Sequence, residues 1–347
     1  FVPSRGLGDV YKRQIIGKTN IPEFAAGSHT YNSVFGLTKN PWNTLLSAGG
    51  SSGGAAAALA TGMSWFASGS DLGGSLRNPA SWCGVVGLRP TSGLIPHGPS
   101  NFPFFNLSVD GPMARNVEDL SIFLDAMVGH NKNDPLSSKG ASNSYYRNLL
   151  KREEAKYLIG FTDDFGIFPC DKEVRSMMHN TLKLVQNLGH EISNTYPDMS
   201  KSEYCFQTLR AYMFYCTYKS LLKKDKSLIK EEVIWNINKA KAITIDDLLE
   251  AEKARADIYN DTMKFFDKFD FLIVPSSVVP PFNSQNKWVK KVEDTTFDNY
   301  VSWLMIAASI SLTNCPSIAL ATSFSEDNAP FGIQIVAPPH EEQKLIT

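Results

Sequence analysis

Two clusters of glycine and serine carry the residue types that could do chemistry: Gly49-Gly50-Ser51-Ser52-Gly53-Gly54 and Gly73-Gly74-Ser75. They flank an alanine-rich segment, residues 55–60. Glycine lets a backbone turn so that successive N–H groups point into one small space. A serine held in such a turn is placed to attack a carbonyl whose oxygen those N–H groups hold. That chemistry is acyl transfer.

Three arrangements can be written on these residues. A phosphate cradle would use the glycines and the N-terminus of a following helix. It needs Gly-x-x-x-x-Gly-Lys-Ser/Thr, and here alanines follow Gly54. A nucleophile elbow would use Gly49-Gly50-Ser51-Ser52-Gly53, which satisfies G-x-S-x-G. Ser51 would then be the nucleophile of an α/β-hydrolase, served by a later aspartate and by His190 or His340. Such an elbow follows a buried strand, whereas residues 41–48 read as loop. The third arrangement uses both clusters together.

The elements that must position these clusters read as follows. Ile15-Ile16 is expected to be a short buried strand. Pro22-Glu23-Phe24 starts a helical turn, and residues 32–43 are loop, punctuated by Gly36, Pro41 and asparagines. Residues 53–61 form a small-residue helix stopped by Gly62. Residues 65–67 are a short strand and 71–75 a tight loop, after which Asn78-Pro79 opens a helix. Asn116-Val117-Glu118-Asp119 is a capped helix start. A strand over 157–161 precedes a helix over 172–188, and 197–241 is mostly helical. A long helix over 244–269 is capped by Thr244 and Asp247. Strands over 271–274, 316–321 and 332–336 and an apolar helix over 300–311 complete the chain. Strands alternating with helices over this length give an α/β fold with helices on both faces of a sheet.

With both clusters in view, the chain resembles the amidase signature family. The resemblance rests on residues 49–54, then Gly69-Ser70-Asp71-Leu72-Gly73-Gly74-Ser75-Leu76-Arg77, Pro79-Ala80 and Cys83-Gly84-Val85-Val86-Gly87-Leu88-Arg89-Pro90-Thr91. It extends to Gly17-Lys18-Thr19-Asn20-Ile21-Pro22-Glu23-Phe24, to Asp110-Gly111-Pro112-Met113-Ala114-Arg115, and to residues 32–43 and 330–336. It implies an α/β fold built on a large, twisted, mixed β-sheet covered on both faces by helices. It implies a Ser–cisSer–Lys triad in which Ser75 is the nucleophile and Ser51, after a cis peptide at Gly50, is the bridging serine. Backbone N–H groups of Leu72, Gly73, Gly74 and Ser75 would form the oxyanion hole. Ser52 would donate a hydrogen bond within the site or steady the loop, and Asp71 and Arg77 would fix that loop by pairing. No metal or organic cofactor is implied.

The family's lysine lies upstream of the Gly17-Lys18-Thr19 motif. Lys18 matches a different position and Lys12 lies in a leader of unusual sequence, so no residue is assigned as base. Residues 1–14 are expected to be non-native, with the true upstream portion lost and the C-terminus cut as well. Residues 15–347 are expected to form one amidase domain, which as written would lack the full triad and be inactive.

The implied activity is hydrolysis of a carboxylic amide to acid plus ammonia or amine. One branch of the family releases ammonia from glutamine for a tRNA-dependent amidotransferase, holding the glutamine amino group with an acidic residue. Trp303 stands at that position here. With Ile306, Ala307 and Ala308 beside it, an indole favours an apolar, aryl or acyl amide over glutamine. A non-catalytic binding protein on the same fold is the non-enzymatic alternative, supported by the missing lysine alone.

Composition sets the outer bounds. The 347 residues carry a net charge of −1 and 43% hydrophobic residues, ordinary for a globular protein. Near-neutral charge gives no reason to expect nucleic acid or an anionic membrane as partner. A small amide is the expected ligand, and a second copy of the chain is the one protein partner left open. The lysines of 219–241 read as a solvated helix face. Five scattered cysteines without metal spacing suit a reducing cytoplasm. The longest apolar run, 53–67, is too short to span a bilayer. Cys83 is expected to be packed rather than reactive, and the histidines to be surface or satisfied core residues. Residues 102–105 could line a channel or the core.

Overall fold

A computed structural model describes residues 15–138, 146 and 155–347. Its centre is a sheet of eight strands: β1 (Phe66–Asp71), β2 (Val86–Arg89), β3 (Val109–Ala114), β4 (Leu158–Phe161), β5 (Glu191–Ser193), β6 (Phe271–Pro275), β7 (Ser317–Phe324) and β8 (Pro330–Val336). Their order is β1-β3-β2-β7-β8-β6-β4-β5. Pairing is antiparallel from β1 to β6 and parallel from β6 through β4 to β5, so the sheet is mixed as expected.

The helices that cover the sheet include α1 (Gly53–Ala60), α2 (Arg77–Cys83), α3 (Val117–Met127), α4 (Lys172–Asn187), α5 (Ser202–Tyr218), α6 (Glu231–Ala240), α7 (Ile245–Phe266), α8 (Met305–Leu312) and α9 (Glu342–Ile346). Their starts follow local chemistry. The Asn116 side chain accepts the Asp119 N–H at 2.7 Å to cap α3. Thr244 and Asp247 form a reciprocal capping box at α7. Every residue of α8 is buried, in a core that also holds Trp82, Phe206 and Trp303. No helix among the described residues is long and apolar enough to cross a membrane.

Four readings of local structure change. Ile15 and Ile16 are not a strand: their side chains are 64% and 76% exposed, and no described strand pairs with them. An isolated extended segment leaves its N–H and C=O groups to water and gains no sheet stability. β1 runs on to Asp71 because β3 pairs with it over six positions. β2, β3 and β5 are strands that the sequence pattern does not announce. Gly87, Gly111 and Pro112 interrupt the alternation that marks a strand in sequence, and the ladder bonds supply what side-chain pattern does not. Finally, α8 starts at Met305 rather than at 300. The Asn299 side-chain oxygen accepts the Val301 and Ser302 N–H groups at 2.9 and 3.2 Å, a turn that delays the helix.

Candidate active site

Gly49–Gly54 runs into the start of α1 and Gly73–Ser75 precedes α2; the fold brings the two turns together. The Ser52 N–H donates to the Ser75 carbonyl at 3.1 Å, and the Ser52 hydroxyl reaches the Ser70 carbonyl on β1 at 3.4 Å. Ser52 therefore ties the clusters to each other. The Gly50–Ser51 peptide is cis. Ser51 and Ser52 are buried, and Ser75 is half-buried.

A cradle that sequence reasoning passed over holds the Ser51 turn. Ser28, His29 and Thr30 are three consecutive buried polar residues. The Ser28 hydroxyl donates to the Gly50 carbonyl at 2.8 Å and accepts from the Asn78 amide at 3.0 Å. The Thr30 hydroxyl donates to the Gly49 carbonyl at 2.9 Å and accepts the Gly53 N–H at 3.1 Å. His29 Nε2 faces the Ser284 carbonyl at 3.0 Å, so it carries the proton, and Nδ1 accepts from the Ser47 hydroxyl at 2.7 Å. That hydroxyl in turn accepts the Gly49 N–H at 3.1 Å. Burial, offset in part by the Ser284 bond, lowers the His29 pKa to about 4, so the ring is neutral at pH 7. The only sequence signal was polarity without a surface pattern.

Glycine is needed where the turn is tightest. A Cβ on Gly50 would lie 2.9 Å from the His29 backbone nitrogen, and one on Gly53 would lie 2.4 Å from the Thr30 hydroxyl. The second cluster is anchored by Asp71, at the end of β1. Its carboxylate accepts the N–H groups of Gly74 at 2.8 Å and Leu76 at 3.0 Å, and it pairs with Arg77 at 2.8 Å and Arg89 at 3.5 Å. Burial alone would raise this carboxyl's pKa; the Arg77 and Arg89 guanidiniums and the Gly74 N–H outweigh it and hold the group well below the usual carboxylate range. Burial draws Arg89 down to about 10 despite Asp71, which still leaves it charged at pH 7. Arg77 also donates to Gln334 on β8 at 2.6 Å and to the Ala307 carbonyl of α8 at 2.8 Å. The expected pairing of Asp71 with Arg77 is thus present.

Gly74 departs from the expected oxyanion set. Its N–H is already held by Asp71, and its positive φ of +107 makes it the turning residue. The N–H groups of Leu72, Gly73 and Ser75 meet no acceptor among the described residues.

The other sequence-derived residues fall as follows. Trp303 is 1% exposed, its ring stacked on Trp82 at 6.2 Å and set edge-on to Phe282 at 5.8 Å. Its indole N–H, like that of Trp82, lacks a partner among the described residues. Cys83 is packed, and burial pushes its thiol above the usual range. No described strand leads into Ser51; the His190 ring accepts the Tyr157 N–H at 3.4 Å, and the His340 backbone N–H donates to the Thr91 hydroxyl at 2.8 Å. Phe102 stacks on Phe105, which meets Tyr212 of α5 edge-on at 5.8 Å.

Among the described residues no lysine is hydrogen-bonded to Ser51 or Ser75. Lys18 is exposed; Lys12 and the rest of the leader, residues 1–14, lie outside the described residues. Lys230 corrects the reading of 219–241 as a solvated face. It is buried over the Tyr31 ring at 4.1 Å, with its ammonium donating to the Ala26 carbonyl at 2.8 Å. Burial lowers its pKa, against the pull of Glu232 and Glu23.

Comparison with known proteins agrees with this geometry. A family profile described as Amidase matches residues 13–346. A glutamyl-tRNA(Gln) amidotransferase subunit of Thermodesulfovibrio yellowstonii is 34% identical, over 96% of this chain and 72% of its own length. An acylamidase of Rhodococcus erythropolis is 32% identical, over 99% of this chain and 71% of its own. A bacterial aryl acylamidase of the amidase signature family shares the fold with a TM-score of 0.86 at 23% identity, covering 95% of this chain and 70% of that one. A profile spanning nearly the whole chain, with relatives above 30% identity along most of their length, settles the classification: this protein belongs to the amidase family.

Proposed function

We propose that this amidase cleaves carboxylic amides through an acyl-enzyme on Ser75, with Ser51 as the proton-bridging serine. The observation that carries the reading is the bond from the Ser52 N–H to the Ser75 carbonyl, which sets the two serine turns side by side. Ser75 Oγ attacks the amide carbonyl as its proton passes to Ser51. The oxyanion is received by the N–H groups of Leu72, Gly73 and Ser75; each such donor is worth roughly 10²–10³ in rate. Collapse returns a proton through Ser51 to the departing amine, and water then releases the acid from Ser75. Ser51 itself needs a base, which in this family is a neutral lysine. With no lysine hydrogen-bonded to Ser51 among the described residues, the 347-residue chain is expected to acylate slowly without added base.

The substrate is taken to be an apolar or aryl amide; the Rhodococcus relative is named an acylamidase. The 34% identity to a protein of the tRNA-dependent amidotransferase favours glutamine as the second reading, with a tRNA-charging complex as partner. Five free cysteines suit a reducing cytoplasm.

Fluorophosphonate labelling across a pH series, mapped by mass spectrometry, tests the proposal. The expected adduct is on Ser75, forming faster as hydroxide replaces the base, and is absent in Ser75→Ala. An adduct on Ser51, or none at any pH, overturns it.

A further inference from the structure

Asn78 is the second residue of α2 and is 1% exposed. It packs against both Gly/Ser turns. Its backbone N–H donates to the Gly74 carbonyl at 2.8 Å, and its side-chain oxygen lies 3.2 Å from where a Cβ on Gly74 would stand. On the other side, a Cβ on Gly49 would lie 3.3 Å from the Asn78 carbonyl carbon and 2.9 Å from Pro79 Cα. The Asn78 side-chain nitrogen donates to the Ser28 hydroxyl at 3.0 Å, and that hydroxyl donates to the Gly50 carbonyl at 2.8 Å. A continuous path of contacts therefore runs from the turn that carries Ser75 to the residue before Ser51.

Proton count fixes the direction of this path. A serine hydroxyl carries one proton, and the Gly50 carbonyl, which can only accept, takes it. The atom of Asn78 that faces Ser28 must then be a donor, the amide nitrogen. That orientation leaves the Asn78 side-chain oxygen buried and without a donor among the described residues. An unpaired buried acceptor is costly, so it is the bond to Ser28 that holds the amide this way round. Turned over, the amide would offer its oxygen to Ser28 and compete with Gly50 for the single proton.

We propose that Asn78 is a positioning residue for acylation: its amide points the Ser28 hydroxyl at the Gly50 carbonyl and so holds Ser51 in register with Ser75. The inference rests on the reading of Ser75 as the acylated serine. Saturation kinetics of fluorophosphonate labelling of the intact chain, at an alkaline pH, separate the rate constant kinact from the binding constant KI. Asn78→Leu removes the donor. Asn78→Asp keeps the shape but is ionised there and can only accept, so it draws the Ser28 proton away from Gly50. Both are expected to lower kinact about tenfold or more with KI unchanged. Mere loss of folded protein would lower the labelled fraction and leave kinact alone. In a Ser28→Ala background, Asn78→Leu is expected to slow labelling less than about twofold further, because the hydroxyl it acts through is gone. Wild-type kinact in Asn78→Asp, or effects of Ser28→Ala and Asn78→Leu that multiply, overturn the role of Asn78 and leave the Ser75 reading standing. A wild type that does not label at any pH overturns both.

Discussion

The Asp71 carboxylate and the Arg77 guanidinium meet at 2.8 Å with both side chains fully excluded from solvent. The pair does more than neutralise itself. Asp71 spends its remaining acceptors on Gly74 and Leu76 N–H, while Arg77 reaches α8 and β8. The loop that carries Ser75 is thereby fastened to the centre of the sheet.

Removing one charge of that pair leaves the other buried and unpaired. Asp71→Asn is expected to lower unfolding free energy by about 3–5 kcal/mol, read from urea denaturation. The pH dependence has a fixed sign. The folded carboxyl titrates below its unfolded value near 3.9, so its stabilisation is complete above that value and declines as pH falls below about 4. Acid denaturation of the wild type that matched Asp71→Asn in this range would contradict the assignment.

His29 acts in a different window. Its folded pKa of about 4 lies below the unfolded value near 6.5. Below pH 6.5 the unfolded chain takes up the proton first, so stability falls between about pH 6.5 and 4 and the His29 contribution levels off below that. His29→Gln should flatten the Tm profile in that interval; an unchanged profile counts against the neutral ring.

Thr30→Val keeps shape but removes the hydroxyl that joins the Gly49 carbonyl and the Gly53 N–H. Leaving those buried groups unpaired should cost about 1–3 kcal/mol. Loss of Ser75 labelling beyond what the lower Tm explains would show that the Ser51 turn had moved; labelling at the wild-type rate would show that it had not.

Gly74→Ala places a methyl 2.9 Å from the Ala307 side chain, at a backbone angle L-residues rarely adopt. We expect about 1–3 kcal/mol of destabilisation and at least a tenfold drop in Ser75 labelling. A variant that labels normally would mean the turn tolerates a shift away from α8.

What could be read from the chain alone was local. Asn116 and Asp119, or Thr244 and Asp247, interact within one helical turn, so residue type and spacing suffice. The same holds for the glycine turns, because few other residues permit their backbone. β2 and β3 are silent in sequence because glycine and proline interrupt their side-chain pattern, and their stability comes from partners distant along the chain. Lys230 has the signature of any surface lysine; only the packing of residues 26–31 against it removes it from water. Gly74 reads as an oxyanion donor, and only the fold reveals that its N–H is held by Asp71.

The sequence by itself determined the two serine turns, the small-residue helix between them and the family to which they belong, since these depend on what glycine, alanine and serine permit locally. Only the tertiary structure decided how the turns meet, which N–H groups stay free and which charges are buried. Those depend on contacts such as Arg77 with Gln334 and His29 with Ser284, whose partners lie more than 200 residues apart. Hydrogen bonds and charges of that kind have no local signature, because their energy depends on the burial that the whole fold creates.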